Sequence, residues 1–114
     1  MRNMSFSKTT AQMYARTKTV TRRYGWWFLK PGDRLQAVEK SQGLRKGEKV
    51  KRICVIEVVS VRCEKLRDMT DDDCIREGFP EMGRTDFICM FVNAFRIDPC
   101  HEVTRIEFKY VEAE

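Results

Sequence analysis

Residues 53–61, Ile-Cys-Val-Ile-Glu-Val-Val-Ser-Val, form the strongest β-strand signal in the chain and restrict its fold more than any other feature. Both faces of this stretch are apolar, and a strand that is covered on both faces belongs in the middle of a sheet. Glu57 interrupts one face and needs a partner if it is buried. A chain of 114 residues has no room for two proper cores, so we expect one domain, residues 1–114, with this strand at its centre.

Weaker strand signals lie on both sides of this central segment. Residues 34–38 follow the turn signal Pro31-Gly32-Asp33, and residues 103–111 alternate well in polarity. Residues 5–7 are a short strand or a lead-in to the first helix. Residues 112–114 are expected to fray.

Three segments carry helix signals. Residues 8–16 have a modest apolar stripe. Thr70 is a good N-cap for a short helix, because the three aspartates that follow it suit the positive end of a helix dipole. Residues 86–95 have apolar side chains at helical spacing and are predicted to face the core rather than a cofactor. Strands and helices together predict an α+β fold, a small β-barrel with two to three flanking helices.

The positive charge of the chain is concentrated in its first half. Residues 1–53 contain 14 Lys and Arg against 3 Asp and Glu, a charge of +11, whereas residues 54–114 contain 8 against 14, a charge of −6. If the halves stay apart in space, they create a basic face for a polyanion; if they interleave, they neutralise each other. The basic hairpin or loop at residues 39–52 either contacts a phosphate backbone or is simply solvated.

Several classes of protein do not fit the sequence. No window approaches the run of about 18 apolar residues that a membrane span needs, and residues 1–6 lack the apolar region of a secretory signal. We therefore expect a cytoplasmic protein with no membrane partner. The five cysteines are odd in number and include no Cys-x-x-Cys pair, which predicts reduced thiols, no metal site and no cofactor.

The densest polar cluster is Thr17-Lys18-Thr19-Val20-Thr21-Arg22-Arg23. Its cations and hydroxyls can bind a phosphate or a carboxylate, and a lysine beside a hydroxyl can transfer protons. A polar loop with surface cations is the plainer interpretation. Lys18 and Thr21 are three residues apart, so a shared site requires a turn between them.

Two adjacent tryptophans follow this cluster in an aromatic strand or loop, residues 24–29. Trp26 and Trp27 cannot both face the core of a strand, because successive side chains point to opposite faces. Either one of them reaches a groove where it can stack on a base, or both bury part of their area as ordinary packing.

The motif Lys18-x-x-Thr21-x-Arg23 resembles the signature of the ASCH domain, the activating-signal-cointegrator homology domain, which is a relative of the PUA RNA-binding fold. The motifs Gly32-Asp33-Arg34-Leu35, Glu77-Gly78-Phe79 and Val103-Thr104-Arg105-Ile106-Glu107-Phe108 extend the resemblance over nearly the whole chain, in the expected order. The resemblance implies a PUA-like β-barrel with helices beside it. Arg16 is a departure, since many ASCH sequences have a helix-ending glycine at this place.

The resemblance also implies a cleft lined by Lys18, Thr21, Arg23 and Glu77. One function that fits is an RNA- or nucleoside-binding domain, in which these groups hold a phosphate or a base edge and a tryptophan stacks on the base. The partner would be RNA or a modified nucleoside. The candidate ligand contacts are Arg22, Arg23, Trp26, Trp27 and Arg105.

The alternative is a metal-independent amidohydrolase acting on N4-acylated cytidine, an activity described for one bacterial branch of the family. Lys18 would be the base, Thr21 the nucleophile and Glu77 the proton shuttle. The like charges of Arg22 and Arg23 would lower the pKa of Lys18 and so increase its basicity. A domain that is purely structural or binds a partner remains a third interpretation, and the sequence does not determine an oligomeric state.

Overall fold

A curved five-stranded sheet forms the frame of the protein, and the computed structural model describes residues 1–112. The strands are β1 (Arg2–Ser5), β2 (Val20–Arg23), β3 (Arg34–Val38), β4 (Arg52–Lys65) and β5 (Glu102–Val111). The helices are α1 (Thr10–Ala15), α2 (Asp71–Arg76) and α3 (Arg84–Phe95), and a 3-10 turn, Leu66–Asp68, joins β4 to α2. The predicted α+β fold is confirmed, with the sheet curled into a half-barrel beside three helices.

The order of the strands is β1-β3-β4-β5-β2, so the long strand β4 lies in the middle as predicted. β1 pairs with β3 in parallel, and the other pairs are antiparallel. The register of β4 against β5 shifts between Val58 and Ser60, a β-bulge of the kind that bends a strand and increases its twist. β1 and β2 form the two edges of the sheet.

Only one face of β4 is fully buried, which corrects the expectation of two apolar faces. Ile56 and Val58 have almost no exposed surface, whereas Val59 is 42% exposed. Glu57 lies on the more open face and pairs with Arg34 and Lys109, at 3.1 Å and 3.3 Å. The partner that Glu57 was expected to need is thus a pair of cations from the flanking strands β3 and β5.

The first helix, α1, is shorter than the predicted segment 8–16 and ends on Arg16 in the left-handed conformation, with φ 59°. This is the conformation that a glycine would supply at no steric cost. Arg16 therefore ends the helix as glycine does. Its guanidinium pairs with Glu112 at 2.6 Å and lies over the ring of Tyr110.

The other two helices begin as their sequences suggest. Thr70 caps α2 by accepting a hydrogen bond from the backbone N–H of Asp73, at 3.1 Å. α3 begins at Arg84, two residues earlier than predicted, with Gly83 as N-cap. Of the two alternatives for residues 24–29, a strand or a loop, the structure has the loop, and residues 39–51 also form a loop. Of the tail that was expected to fray, residues 113–114 lie outside the described residues.

Two hydrophobic clusters fill the space around the sheet. The larger one lies under the sheet and includes Met4, Phe6, Leu35, Ile56 and Phe108. The smaller one packs α2 and α3 against the start of β5, and its members are Leu66, Met69, Cys74, Phe87, Phe91 and Val103. The helices α2 and α3 are therefore attached to one end of the half-barrel by a separate hydrophobic core.

Gly78, two residues after the end of α2, lies close to Gln12 of α1. Its φ is +98°, and a Cβ added there would lie 2.8 Å from Cγ of Gln12. Nε2 of Gln12 also donates a hydrogen bond to the carbonyl oxygen of Gly78, at 3.2 Å. Both the backbone conformation and the close contact therefore require glycine.

We expect Gly78→Ala to lower the free energy of unfolding by about 2–4 kcal/mol, because it adds a positive-φ penalty to a steric clash. Gly32→Ala is the matched control, since Gly32 has a similar φ of +94° but no neighbour within 4 Å. Its expected loss is about 1–2 kcal/mol. Urea unfolding followed by circular dichroism measures both, and equal losses would show that the contact with Gln12 costs nothing.

Candidate functional site

A cleft of about 600 Å³ lies between the sheet edge at β2 and the helix α3. One side is formed by α3. The opposite side is formed by residues around the end of β1 and by six residues of the following segments: Lys18, Thr21, Arg22, Arg23, Tyr24 and Trp26. Glu77 and Phe79, from the segment after α2, also line it, and residues 40–42 of the basic loop border it. The volume falls within the range of small-molecule sites.

Lys18 and Glu77 meet in this cleft although 59 residues separate them. Nζ of Lys18 donates to Oε1 of Glu77 at 2.7 Å and to the Glu77 carbonyl oxygen at 2.8 Å. Thr21 lines the same cleft. Lys18 lies ahead of β2, in a segment without regular structure, so strict strand alternation does not apply and no turn is needed between it and Thr21. The expectation of such a turn was wrong.

Arg22 is the hub of a buried ion-pair network. Its Nη1 donates to Oε2 of Glu77 at 3.1 Å, and its Nη2 donates to carboxylates of Asp73 and Glu64. Asp73 also receives two hydrogen bonds from Arg105, at 2.8 Å and 3.0 Å. The network therefore runs from Lys18 in the cleft to Arg105 on β5.

Burial and pairing act in opposite directions on the acids and bases of this network. Burial alone would raise the pKa of Asp73, but the hydrogen bonds and charges of Arg105 and Arg22 outweigh it and hold that pKa well below its ordinary value. Burial lowers the pKa of Lys18, and the charges of Arg23 and Arg22 add to this effect, while Glu77 opposes it. The predicted contribution of the two arginines is real, although burial is the larger cause.

Arg23 differs from Lys18 and Arg22 in its partners. Its Nε donates to Oγ1 of Thr21 at 3.0 Å, and its guanidinium lies 4.7 Å from the centre of the Phe6 ring. No carboxylate among residues 1–112 pairs with it within 4.0 Å. Burial lowers its pKa to about 10.

The wall of the cleft is aromatic. Tyr24, Trp26 and Phe79 line it together with Phe91 and Phe95 of α3. Trp26 follows Gly25 and has a φ of 62°, a conformation that is strained for a bulky side chain. Its half-buried indole lines the cleft and also packs against the main core.

Two of the predicted ligand contacts lie outside this lining. Trp27 is 73% exposed, so the structure distinguishes the two tryptophans that the sequence could not. Arg105 is buried, and its guanidinium is occupied by Asp73. Arg22 lines the cleft, but its side chain is fully buried by its three carboxylate partners. Its contribution is to hold Glu77.

Sequence reasoning missed the part of the site that comes from α3. Met90, Ala94 and Phe95 line the cleft, whereas the apolar stripe of this helix was interpreted as core-facing throughout. Phe87 and Phe91 do belong to the core, and they also line the cleft. No local signal marked these positions, because the residues that line the cleft and those that belong to the core share one apolar stripe.

The described residues hold no group of three His, Cys, Asp or Glu side chains placed to bind a metal ion. Within residues 1–112, no helix has the length and apolarity needed to cross a membrane.

Comparison with known proteins identifies the fold. No protein-family model matches the sequence, and a search of curated proteins finds no match. Among solved structures, the ASCH domain from Lactobacillus crispatus JV V101 superposes with a TM-score of 0.68 at 16% identity, covering 96% of this chain and 79% of that one. The hypothetical protein PH0355 superposes with a TM-score of 0.67 at 14% sequence identity, over 97% of this chain and 100% of that one. A protein from Enterococcus faecalis V583, described as DUF984, superposes with a TM-score of 0.63 at 12% sequence identity, over 92% of this chain and 71% of that one.

These structures establish that the chain has the fold of an ASCH domain, as its motifs predicted.

We expect Asp73→Asn to lower the free energy of unfolding by about 3–5 kcal/mol at neutral pH, because it leaves two buried guanidiniums undercompensated. The pKa of Asp73 is depressed in the folded state, so its contribution is complete above the ordinary value of 3.8 and is lost as the pH falls through the lower folded value. The difference in the free energy of unfolding between wild type and Asp73→Asn should therefore become smaller as the pH drops below about 4.

Asp72→Asn is the control, since it is the same change one residue earlier in α2. The side chain of Asp72 is 72% exposed, against 8% for Asp73. The loss in the free energy of unfolding for Asp72→Asn should stay below about 1 kcal/mol at every pH. Thermal and urea unfolding between pH 2 and pH 7 give both curves. A difference for Asp73→Asn that does not change with pH would contradict the ionic explanation.

Proposed function

We propose that this protein binds a nucleobase in the cleft beside α3, presented by single-stranded RNA or by a free nucleoside. The observation that carries the proposal is that one cleft combines an aromatic wall with a cationic floor. Bases stack on aromatic side chains, and the polar edge of the nucleotide accepts hydrogen bonds from lysine, arginine and threonine. The volume of about 600 Å³ accommodates a nucleotide.

The stacking partner in this proposal is Trp26. Its ring lines the cleft, and its left-handed backbone is a strained feature of the kind that clusters at binding sites. Phe28 packs against it, with ring centres 5.7 Å apart, and so limits its rotation. A ring that is already fixed loses little entropy when a base stacks on it.

RNA is favoured over a free nucleoside by the charge at the mouth of the cleft. Lys8 and Lys40 are part of its lining, and the basic loop, residues 39–51, continues from there. Cations along such a rim attract a phosphate backbone and release counterions when it binds. The same residues have no evident role for an uncharged nucleoside.

We expect Trp26→Ala to weaken binding of a short single-stranded RNA about tenfold or more, which corresponds to the loss of one base–aromatic stack. Trp27→Ala is the control, because its indole is adjacent in sequence but lies outside the cleft, and it should change the affinity less than twofold. Calorimetric titration at several salt concentrations measures both affinities. The affinity of wild type should fall steeply with added salt.

Equal effects of the two tryptophan variants would contradict the cleft as the binding site. An absence of binding to RNA and to each of the four nucleosides would overturn the proposed function.

Amidohydrolase activity is the second candidate, and two observations favour it. Lys18, Thr21 and Glu77 line one cleft, and burial lowers the pKa of Lys18. In this reaction Oγ1 of Thr21 attacks the acyl carbon while neutral Lys18 takes the hydroxyl proton, and Glu77 accepts that proton from Lys18 and delivers it to the departing amine. Water then hydrolyses the acyl ester on Thr21.

The contacts of the free protein favour binding over this chemistry. Lys18 donates two hydrogen bonds to Glu77, and Thr21 accepts one from Arg23. No hydrogen bond joins Lys18 to Thr21 among the described residues, so the nucleophile and its base are not yet engaged. Catalysis would require Lys18 to exchange a Glu77 contact for the Thr21 hydroxyl.

If the protein is an amidohydrolase, N4-acetylcytidine will be converted to cytidine and acetate, and Thr21→Val will abolish the conversion. The substitution keeps the shape of the side chain and removes the nucleophile. Thr19→Val is the control, since this threonine lies in the same segment but does not line the cleft. Chromatography of the products decides the question: no cytidine release by wild type excludes the activity on this substrate.

A further inference from the structure

Arg23 presents hydrogen-bond donors to the cleft that no described residue accepts. Its Nε is used by Thr21, but no side-chain or backbone oxygen within residues 1–112 receives a hydrogen bond from its two Nη groups. Phe6 supports one face of the guanidinium and thereby fixes its plane. The result is a rigid fork of donors in a cleft.

The neighbouring groups do not supply the missing acceptor. The acid nearest to it is Glu77, whose Oε1 accepts from Lys18 and whose Oε2 accepts from Arg22. Oγ1 of Thr21 is used as the acceptor for Arg23, which leaves its hydroxyl hydrogen free to donate. The floor of the cleft therefore offers donors and requires a ligand group made of acceptors.

The charges of the site lead to the same conclusion. Lys18, Arg22 and Arg105 each contact at least one carboxylate within 4.0 Å, whereas Arg23 contacts none among residues 1–112. Burial lowers the pKa of Arg23, and the charge of Glu77 opposes this effect only in part. A cation that is partly removed from water gains most from an anion that can replace its hydration.

We propose that Arg23, with the hydroxyl of Thr21, binds a phosphate group of the ligand, so that the cleft selects a nucleotide over a neutral nucleoside. The planar fork of a guanidinium matches the oxygens of a phosphate in a bidentate contact. The inference rests on the proposed nucleobase binding and adds which part of the ligand reaches the floor. In this arrangement the base lies against the aromatic wall of the cleft, next to the indole of Trp26.

The test compares cytidine, cytidine 5′-monophosphate and cytidine 3′-monophosphate by calorimetric titration at one ionic strength. We expect wild type to bind one of the two monophosphates at least about tenfold more tightly than cytidine. A gain in affinity of this size is typical of hydrogen bonds to a charged group. Arg23→Gln should remove that advantage, so that this variant binds the monophosphate and cytidine with affinities within about twofold of each other. Inorganic phosphate should compete with the preferred monophosphate in wild type and not in Arg23→Gln.

Two variants serve as controls. Arg23→Lys keeps the charge and loses the fork, and should recover part of the preference. Arg34→Gln removes a guanidinium that pairs with Glu57 outside the cleft, and should leave all affinities unchanged. Circular dichroism verifies that each variant is folded. If Arg23→Gln does not fold, the wild-type ratio and Arg23→Lys still decide the question.

Equal binding of cytidine and both monophosphates by wild type would overturn this inference and leave nucleobase binding intact. The same holds if Arg23→Gln weakens cytidine and monophosphate alike, because Arg23 would then contact the base. Failure of every nucleoside, monophosphate and RNA to bind would instead remove the proposed function and this inference with it.

Discussion

The structure depends on the way in which Asp73 holds two arginines that the sheet places side by side. Arg22 on β2 and Arg105 on β5 are direct partners in the strand register, so two like charges lie on one buried face. Like charges at this spacing repel each other and would oppose pairing of the two strands. Asp73 lies in the first turn of α2 and accepts hydrogen bonds from both Arg22 and Arg105. The helix is therefore fixed to the sheet at one carboxylate.

This network also fixes part of the cleft, because Arg22, which is held by Asp73, donates a hydrogen bond to Glu77. Glu77 is the residue that follows α2, and its two carboxylate oxygens join Arg22 to Lys18. Buried ion pairs of this kind contribute little net stability, since desolvation offsets their attraction. Their effect here is geometric: residues from two separate parts of the chain, the segment around β2 and the end of α2, are held at the floor of one cleft. Arg23 takes no part in this network and contacts Thr21 and Phe6 instead.

Much of the frame could be predicted from local patterns. The strand 34–38, the central position of residues 53–61 and the cap at Thr70 are as predicted, because alternation, apolar runs and side-chain caps act over a few residues. The roles of Arg105 and α3 were not predictable in this way. Arg105 alternates with apolar residues as a solvent-facing cation would, and only Asp73, 32 residues away, explains its burial.

The sequence by itself determined which residue types are available at the site: a lysine, a threonine, arginines and an acid at the spacing of the ASCH motifs. It also determined the strands and helices that carry them, since these follow from short-range periodicity and capping. Only the tertiary structure decided that Arg23 has no carboxylate partner among residues 1–112 and that Trp26, not Trp27, lines the cleft. Pairing among charges depends on distances between residues far apart in the chain, and those distances exist only after the sheet has curled and α2 has docked against it.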